Sequence, residues 1–297
     1  MSGSFGADLG KRFRRLLPAA LRAGPAVVPV VRLSGTIGIG TPLRPALTIA
    51  GVAAALDRAF SVRDAREVAI VVNSPGGAAA QAHLIYRRIR TLAEEKGLQV
   101  TAFVEDAAAS GGYMIACAAD EIVADRASIV GSIGVVTATF GFDKLMEKIG
   151  VERRLYVTGD KKSILDPFLP ERPEDLKRIK AMQRDIQALF TELVRERRAG
   201  RLAAPERTLF SGEFWVGDRA RALGLVDGVG DIVTTMKARY GEDVELQPMT
   251  EKQSVLRRLF GGGRPQIGLV GAPLAAGLAG EIVAEAEVRA LWARIGL

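Results

Sequence analysis

The run Val68-Ala-Ile-Val-Val-Asn73 is apolar up to its last residue, is closed at once by Ser74-Pro-Gly-Gly77, and gives way to helical periodicity over 78–96. A strand apolar at successive positions belongs where both faces of a sheet are covered, which points to helices on either side of parallel strands. In the helix that follows, Leu84, Ile85, Ile89 and Leu92 fall on one face. The same alternation continues on both sides. Val27 to Leu33 reads as a strand, 47–60 as a helix, and Val100 to Val104 as the next strand. Gly111 to Ala119 reads as a small-residue helix, 120–140 as short strands and turns, and Asp143 to Ile149 as a helix. Val151 to Val157 reads as a further strand and 173–199 as a long polar helix. Strands and helices in this order predict an α/β fold, layered, with mainly parallel sheets flanked by helices.

The alternation bounds three regions. Residues 26–240 form the principal domain. Within 1–25, Phe5, Leu9, Phe13, Leu17 and Leu21 recur every fourth residue around Lys11, Arg12, Arg14 and Arg15. Residues 4–17 therefore read as a basic amphipathic helix, suited to an anionic membrane surface or to docking on the protein's own body or a sister subunit. Residues 241–297 read as a glycine-rich linker followed by an apolar tail that packs on a neighbouring subunit or occupies a groove. Neither end offers the roughly 18 uninterrupted apolar residues of a membrane span, and the features of a signal peptide are lacking. The expectation is a cytoplasmic protein, peripheral on the inner membrane, with no transmembrane anchor.

Composition removes several chemistries. The one cysteine, Cys117, excludes an internal disulfide framework and sits among small apolar residues, where packing is its expected role. The one histidine, His83, lies in a helix start rather than beside a candidate nucleophile, which argues against Ser-His or Cys-His catalysis. No metal is expected without several His or Cys ligands. The net charge of +7 comes with no nucleic-acid-binding motif, so no nucleic-acid partner is expected.

Three segments carry possible chemistry. Asn73-Ser-Pro-Gly-Gly77 ends a strand and opens a helix, and its glycines let backbone amides approach a ligand closely. Ala107-Ala-Ala-Ser-Gly-Gly-Tyr113 places Ser110 between a strand and a glycine-initiated helix. That position suits an exposed nucleophile, and equally an ordinary N-cap serine. Thr158-Gly-Asp-Lys-Lys-Ser-Ile-Leu-Asp-Pro-Phe168 offers Lys161 and Lys162 beside Ile164, Leu165 and Phe168. A lysine base needs such a dry wall, because its free pKa is about 10.4 and burial lowers it.

Together these blocks, with Gly131-Ser-Ile-Gly-Val135, Phe142-Asp-Lys-Leu-Met-Glu-Lys-Ile-Gly150 and Gly217-Asp-Arg-Ala-Arg-Ala-Leu-Gly-Leu-Val-Asp227, resemble the signal peptide peptidase A family in its short single-domain bacterial form. The resemblance runs from about Val28 to Gly230 and implies the Clp protease/crotonase-like layered fold. It implies Ser110 as nucleophile and Lys162 as general base, with Lys161 the alternative, and the amides of Gly77 and Gly111 as oxyanion hole. No cofactor is implied. It also implies a homo-oligomer, such as an octamer, that hydrolyses extended or unfolded peptides, remnant signal peptides among them, through an acyl-enzyme. One position departs from the family: Asp166 stands where a small hydroxyl residue is usual, so either its carboxylate turns away from Lys162 or activity needs a higher pH. Two other readings share the fold, a non-catalytic peptide-binding or membrane-associated scaffold and a crotonase-type acyl-CoA enzyme. A relative that cleaves stomatin-like proteins also uses Ser and Lys.

Overall fold

A computed structural model describes residues 24–40, 45–159, 161–249, 285–286 and 288–297. The expected helix over 4–17 lies outside them, as does most of the expected linker and tail. Eight strands form one sheet: β1 (Val27–Ser34), β2 (Val68–Ser74), β3 (Val100–Ala109), β4 (Glu121–Ala124), β5 (Ile129–Gly131), β6 (Phe214–Val216), β7 (Gly228–Val229) and β8 (Glu245–Pro248). The main path runs β6-β5-β3-β2-β1-β8, with β4 bridging β3 and β7. Every pairing is parallel except that of β5 with β6. The sheet thus extends past residue 240, because β8 pairs with β1.

The helices are α1 (Ile49–Ala59), α2 (Ala79–Lys96), α3 (Gly111–Ala116), α4 (Asp143–Lys148), α5 (Pro173–Arg197), α6 (Glu206–Leu209), α7 (Gly217–Ala222) and α8 (Ile232–Tyr240). Local signals explain their ends. The Thr48 hydroxyl accepts from the Gly51 amide at the start of α1, and Gly97 closes α2 at φ 63°. Pro173 opens α5, with Glu174 and Asp175 in its first turn and Arg195 and Arg197 in its last. Two cores cover the two faces of the sheet. Val31, Leu33, Ile70 and Val72 pack with α1, α2, α3 and the end of α5, whereas Val28, Ala69, Val71 and Phe103 pack with Met236 of α8. That is the two-sided burial the apolar run demanded.

Four details differ from the sequence reading. The third strand continues through Ala109 and stops only at Ser110, since Ala107–Ala109 pair with Ile129–Gly131. The small-residue helix ends at Ala116. Leu84 is exposed, while Ile85, Ile89 and Leu92 are buried. Val151–Val157 forms no strand, because no described strand lies beside it to complete a ladder.

Arg198, just past α5, is 1% exposed and ties that helix to the chain after α7. Its guanidinium donates to both Asp227 oxygens, at 2.7 and 3.0 Å, and to the Gly224 carbonyl. The Asp227 carboxylate also accepts from the Ile122 amide of β4. Removing the carboxylate would leave a buried cation with one carbonyl partner, so Asp227→Ala should cost about 3 kcal/mol in urea unfolding. A loss under about 1 kcal/mol, the level of a surface pair, would refute this account of the brace.

Candidate active site

Ser110 occupies the turn from β3 into α3 with φ 52° and ψ −120°. This is a left-handed conformation that costs a non-glycine residue about 1–3 kcal/mol and persists only where the surroundings enforce it. They do so here: the Ser110 amide donates to Gly131 of β5 at 2.8 Å, and its carbonyl accepts from Met114 at 3.0 Å. A capping serine has extended backbone and a side chain bonded to the next turn. Ser110 has neither, and its hydroxyl makes no cap hydrogen bond. The strand drives the serine outward at a sharp turn, the arrangement of a nucleophile elbow.

The glycine loop after β2 lies against this turn. A Cβ on Gly76 would stand 2.8 Å from the Ser110 Cβ, and one on Gly77, at φ 140°, would stand 2.2 Å from the Ile37 carbonyl oxygen. Ile37 bonds to the loop on both sides of Gly77, donating to Gly76 O and accepting from Ala78 N. The Gly77 amide is left without a partner among the described residues, and so is the Gly111 amide in the first turn of α3. Gly77, Ser110 and Gly111 share the wall of one open cavity of about 1210 Å³. Met114, Val135, Val136 and Phe214 give it apolar surface. Two unpaired amides beside the half-buried Ser110, on the wall of the same cavity, can receive an oxygen that gains negative charge.

Lys162 lies elsewhere in the fold. It is exposed, in a turn closed by its own amide on Gly159, and does not line the Ser110 cavity. It belongs to an arm spanning roughly residues 136–170. In the arm α4 buries no side chain, and Phe142 stacks on Phe140 and Phe168 with centroids 6.2 and 5.7 Å apart. The expected dry wall is incomplete: Ile164 and Leu165 are half-buried and Phe168 is exposed. Lys161 is exposed as well. Asp166 turns away from both lysines, accepting from the Phe168 amide and from Arg153, each at 3.0 Å. Chiefly the Phe168 amide, with Arg153 adding to it against a smaller effect of burial, holds that carboxyl below its usual range.

The other singled-out residues are remote from the elbow. His83 stacks on Tyr86 within α2 and does not line the cavity; burial, then Arg87, lowers its pKa. Cys117 is fully buried, and burial pushes its thiol up to about 12, which suits packing rather than reactivity. Sequence reasoning missed two parts of the cavity wall. One is the face of α5 bearing Lys180, Gln183, Arg184 and Gln187, whose i, i+3, i+4, i+7 spacing was available to find it. The other is Ala290, Leu291, Arg294 and Ile295, part of the apolar tail expected to pack on a neighbouring subunit or occupy a groove; neither this cavity nor these residues were named by that expectation.

Residues 93–246 match the profile of peptidase family S49, a span that includes the elbow, the lysine loop and the last strands. The chain belongs to that family. Among curated relatives, this S49 chain is 51% identical over 286 residues to the Na(+)/H(+) antiporter NhaA of Brucella melitensis, covering 96% of this chain and 39% of that protein. It is 33% identical over 219 residues to the chloroplastic serine protease SPPA of Arabidopsis thaliana, covering 71% of this chain and 32% of that one. The S49 chain thus spans 32% to 39% of the length of these relatives. A solved structure of a mutant 1510-N membrane-bound stomatin-specific protease superposes with a TM-score of 0.44 at 17% identity, over 77% of this chain and 96% of that one. Among the described residues, no helix is long and apolar enough to cross a membrane.

The strain at Ser110 is measurable. Glycine adopts φ 52° without the penalty, so Ser110→Gly should be more stable than Ser110→Ala by about 1 kcal/mol despite glycine's extra unfolded-state entropy. Chemical denaturation of the two variants compares them directly, and equal or reversed stabilities would show that the elbow stores no strain.

Proposed function

We propose that this chain is a serine endopeptidase in which Ser110 is the nucleophile, Lys162 the general base, and the Gly77 and Gly111 amides the oxyanion hole. The observation that carries the reading is the elbow itself: a strained, uncapped serine beside two unpaired amides in one cavity. In the reaction the lysine amine takes the hydroxyl proton as Oγ bonds to the peptide carbonyl carbon. The carbonyl oxygen becomes an oxyanion held by the two amides. The C–N bond then breaks, the lysine returns the proton to the leaving amine, and an acyl-enzyme remains. Water, losing a proton to the same lysine, adds to the ester carbonyl, and collapse of that intermediate frees the carboxylate and Ser110.

A lysine serves as base only where it is covered and dry. Within one chain Lys162 is exposed and outside the cavity, which supports a dyad completed between copies, the arm of one subunit reaching the elbow of the next. The arm has the surface for this. Val136, Phe140, Leu145, Ile149 and Tyr156 are all more than half exposed, Tyr156 at 91%, and the backbone of residues 152–157 is unpaired among the described residues. The assembly proposed is therefore a homo-oligomeric ring, such as an octamer, acting on extended peptides that include remnant signal peptides. Its basic segment over 4–17 would rest on the cytoplasmic side of the inner membrane, a surface where such peptides collect.

A fluorophosphonate probe with peptide mapping tests the chemistry. Wild type should be modified at Ser110, and folded Ser110→Ala and Lys162→Ala should not. If folded wild type stays unlabelled from pH 7 to about 10, where free lysine begins to lose its proton, the peptidase reading fails. Mixing the two inactive variants tests the shared dyad: random reassembly of a ring pairs an intact serine with an intact lysine in about a quarter of sites. Recovery of peptidase activity near that fraction is expected, and no recovery from a mixed assembly would place both groups within one subunit.

A further inference from the structure

Lys180, Gln183, Arg184 and Gln187 stand at i, i+3, i+4 and i+7 on α5, and all four line the cavity that holds Ser110. The face is fixed in place rather than splayed into solvent. Gln183 donates to the Thr137 hydroxyl at 3.1 Å, and Gln187 donates to the carbonyls of Ile133 and Phe210 at 3.3 Å each. Lys180, one turn before these anchors, and Arg184, between them, are exposed, and neither forms an ion pair among the described residues. Arg294, near residue 297, brings a third cation to the same cavity, also without an ion pair among the described residues. No Asp or Glu is among the described residues that line it. α5 does carry acids, including Asp185 and Glu192, but on other faces.

From this one-signed wall we propose that the α5 face selects substrate by charge: Lys180 and Arg184, with Arg294, bind a carboxylate on a peptide whose apolar residues lie against the surface near Ser110. The proposal rests on the peptidase reading and deepens it. Two sources could supply the group, an acidic side chain or the free C-terminus of a peptide released by an earlier proteolytic cleavage. Several like charges around one cavity attract such a group and repel a cationic one, and the discrimination is screened by salt.

The test uses full-length Ser110→Ala protein and four fluorescent peptides built on one neutral apolar sequence: amidated, amidated with an internal Glu, with a free C-terminus, and amidated with an internal Lys. Binding by anisotropy at low salt should favour at least one carboxylate peptide over the neutral one by about tenfold, with the Lys peptide weakest. A gain with the Glu peptide alone identifies a side chain as the source, and a gain with the free C-terminus alone identifies the terminal carboxylate. Adding Lys180→Glu and Arg184→Glu should abolish the gain and reverse the order of the Glu and Lys peptides. Adding Lys180→Gln and Arg184→Gln should only level it, and urea midpoints certify that each variant is folded. Equal affinity for neutral and carboxylate peptides, an order that survives charge reversal, or no saturable binding of any peptide would overturn the proposal. Labelling of Ser110 in the wild-type protein is scored separately, so a cavity blind to charge leaves the peptidase reading standing, and an unlabelled serine removes that reading whatever the peptides do.

Discussion

The elbow and the glycine loop can touch only because positions 76 and 77 carry no side chain. A β-carbon at Gly77 would overlap the Ile37 carbonyl, and one at Gly76 would press on Ser110. A third glycine extends the constraint: a β-carbon on Gly112 would stand 2.6 Å from the Ser74 carbonyl oxygen, so α3 could not settle onto the end of β2. Three elements, β2, β3 and α3, therefore converge on one serine at backbone distance. The register shift between Val72 and Ser74 where β2 meets β3 belongs to the same convergence, since it turns the loop toward the elbow.

Holding Ser110 at positive φ requires a frame stiffer than the turn. β3 provides it, paired along one edge with β2 and along the other first with β4 and then with β5. Behind the elbow, the buried Tyr113 hydroxyl donates to the Leu225 carbonyl, and Arg198 grips Asp227 two residues further on. The ordering groups thus reach the segment after α7, more than a hundred residues beyond the serine. The arm bearing Lys162 has no such frame: α4 buries nothing, and three stacked rings with one arginine over Phe168 organise its base. One chain sets the elbow on a braced frame and leaves much apolar surface of the arm exposed among the described residues, which is why the dyad proposed above takes its base from an arm covered by another surface.

What could be read from the residues follows the range of the forces involved. The two-faced burial of β2 and the glycine turns are local consequences of side-chain pattern, and the layered parallel fold followed from them. Ser110 and the two glycines were legible for the same reason, because a strand-turn-helix fixes its own geometry. Val151–Val157 was misread because its Val, Leu and Tyr residues state only that the segment could pair, while pairing depends on a neighbour the segment does not encode. The departure at Asp166 was visible as a residue, but its outcome depended first on the turn that brings the Phe168 amide to the carboxylate and then on Arg153, thirteen positions away on another part of the arm. The polar face of α5 was fully encoded by its spacing. It escaped notice because a long polar helix reads equally well as a solvated surface.

The last wall of the cavity shows the same limit at its greatest distance. Ala107 and Ala109, on the strand that ends at Ser110, present only methyl groups to the second face of the sheet, and Ile295 packs into the space they leave, with Trp292 beside it. A contact between residues some 185 positions apart requires closing a long loop, and few side chains here offset that entropy. Residues 288–297 bury Val288 and Ile295, with hydrogen bonds mainly to one another. Among the described residues these two buried side chains are what they add to the core, and segments with few buried contacts open at low free energy. Cavity shape near the elbow is therefore set by two unequal supports. The glycine loop is seated by backbone contacts that leave no room for a β-carbon, and the C-terminal turn, among the described residues, by the buried side chains of Val288 and Ile295.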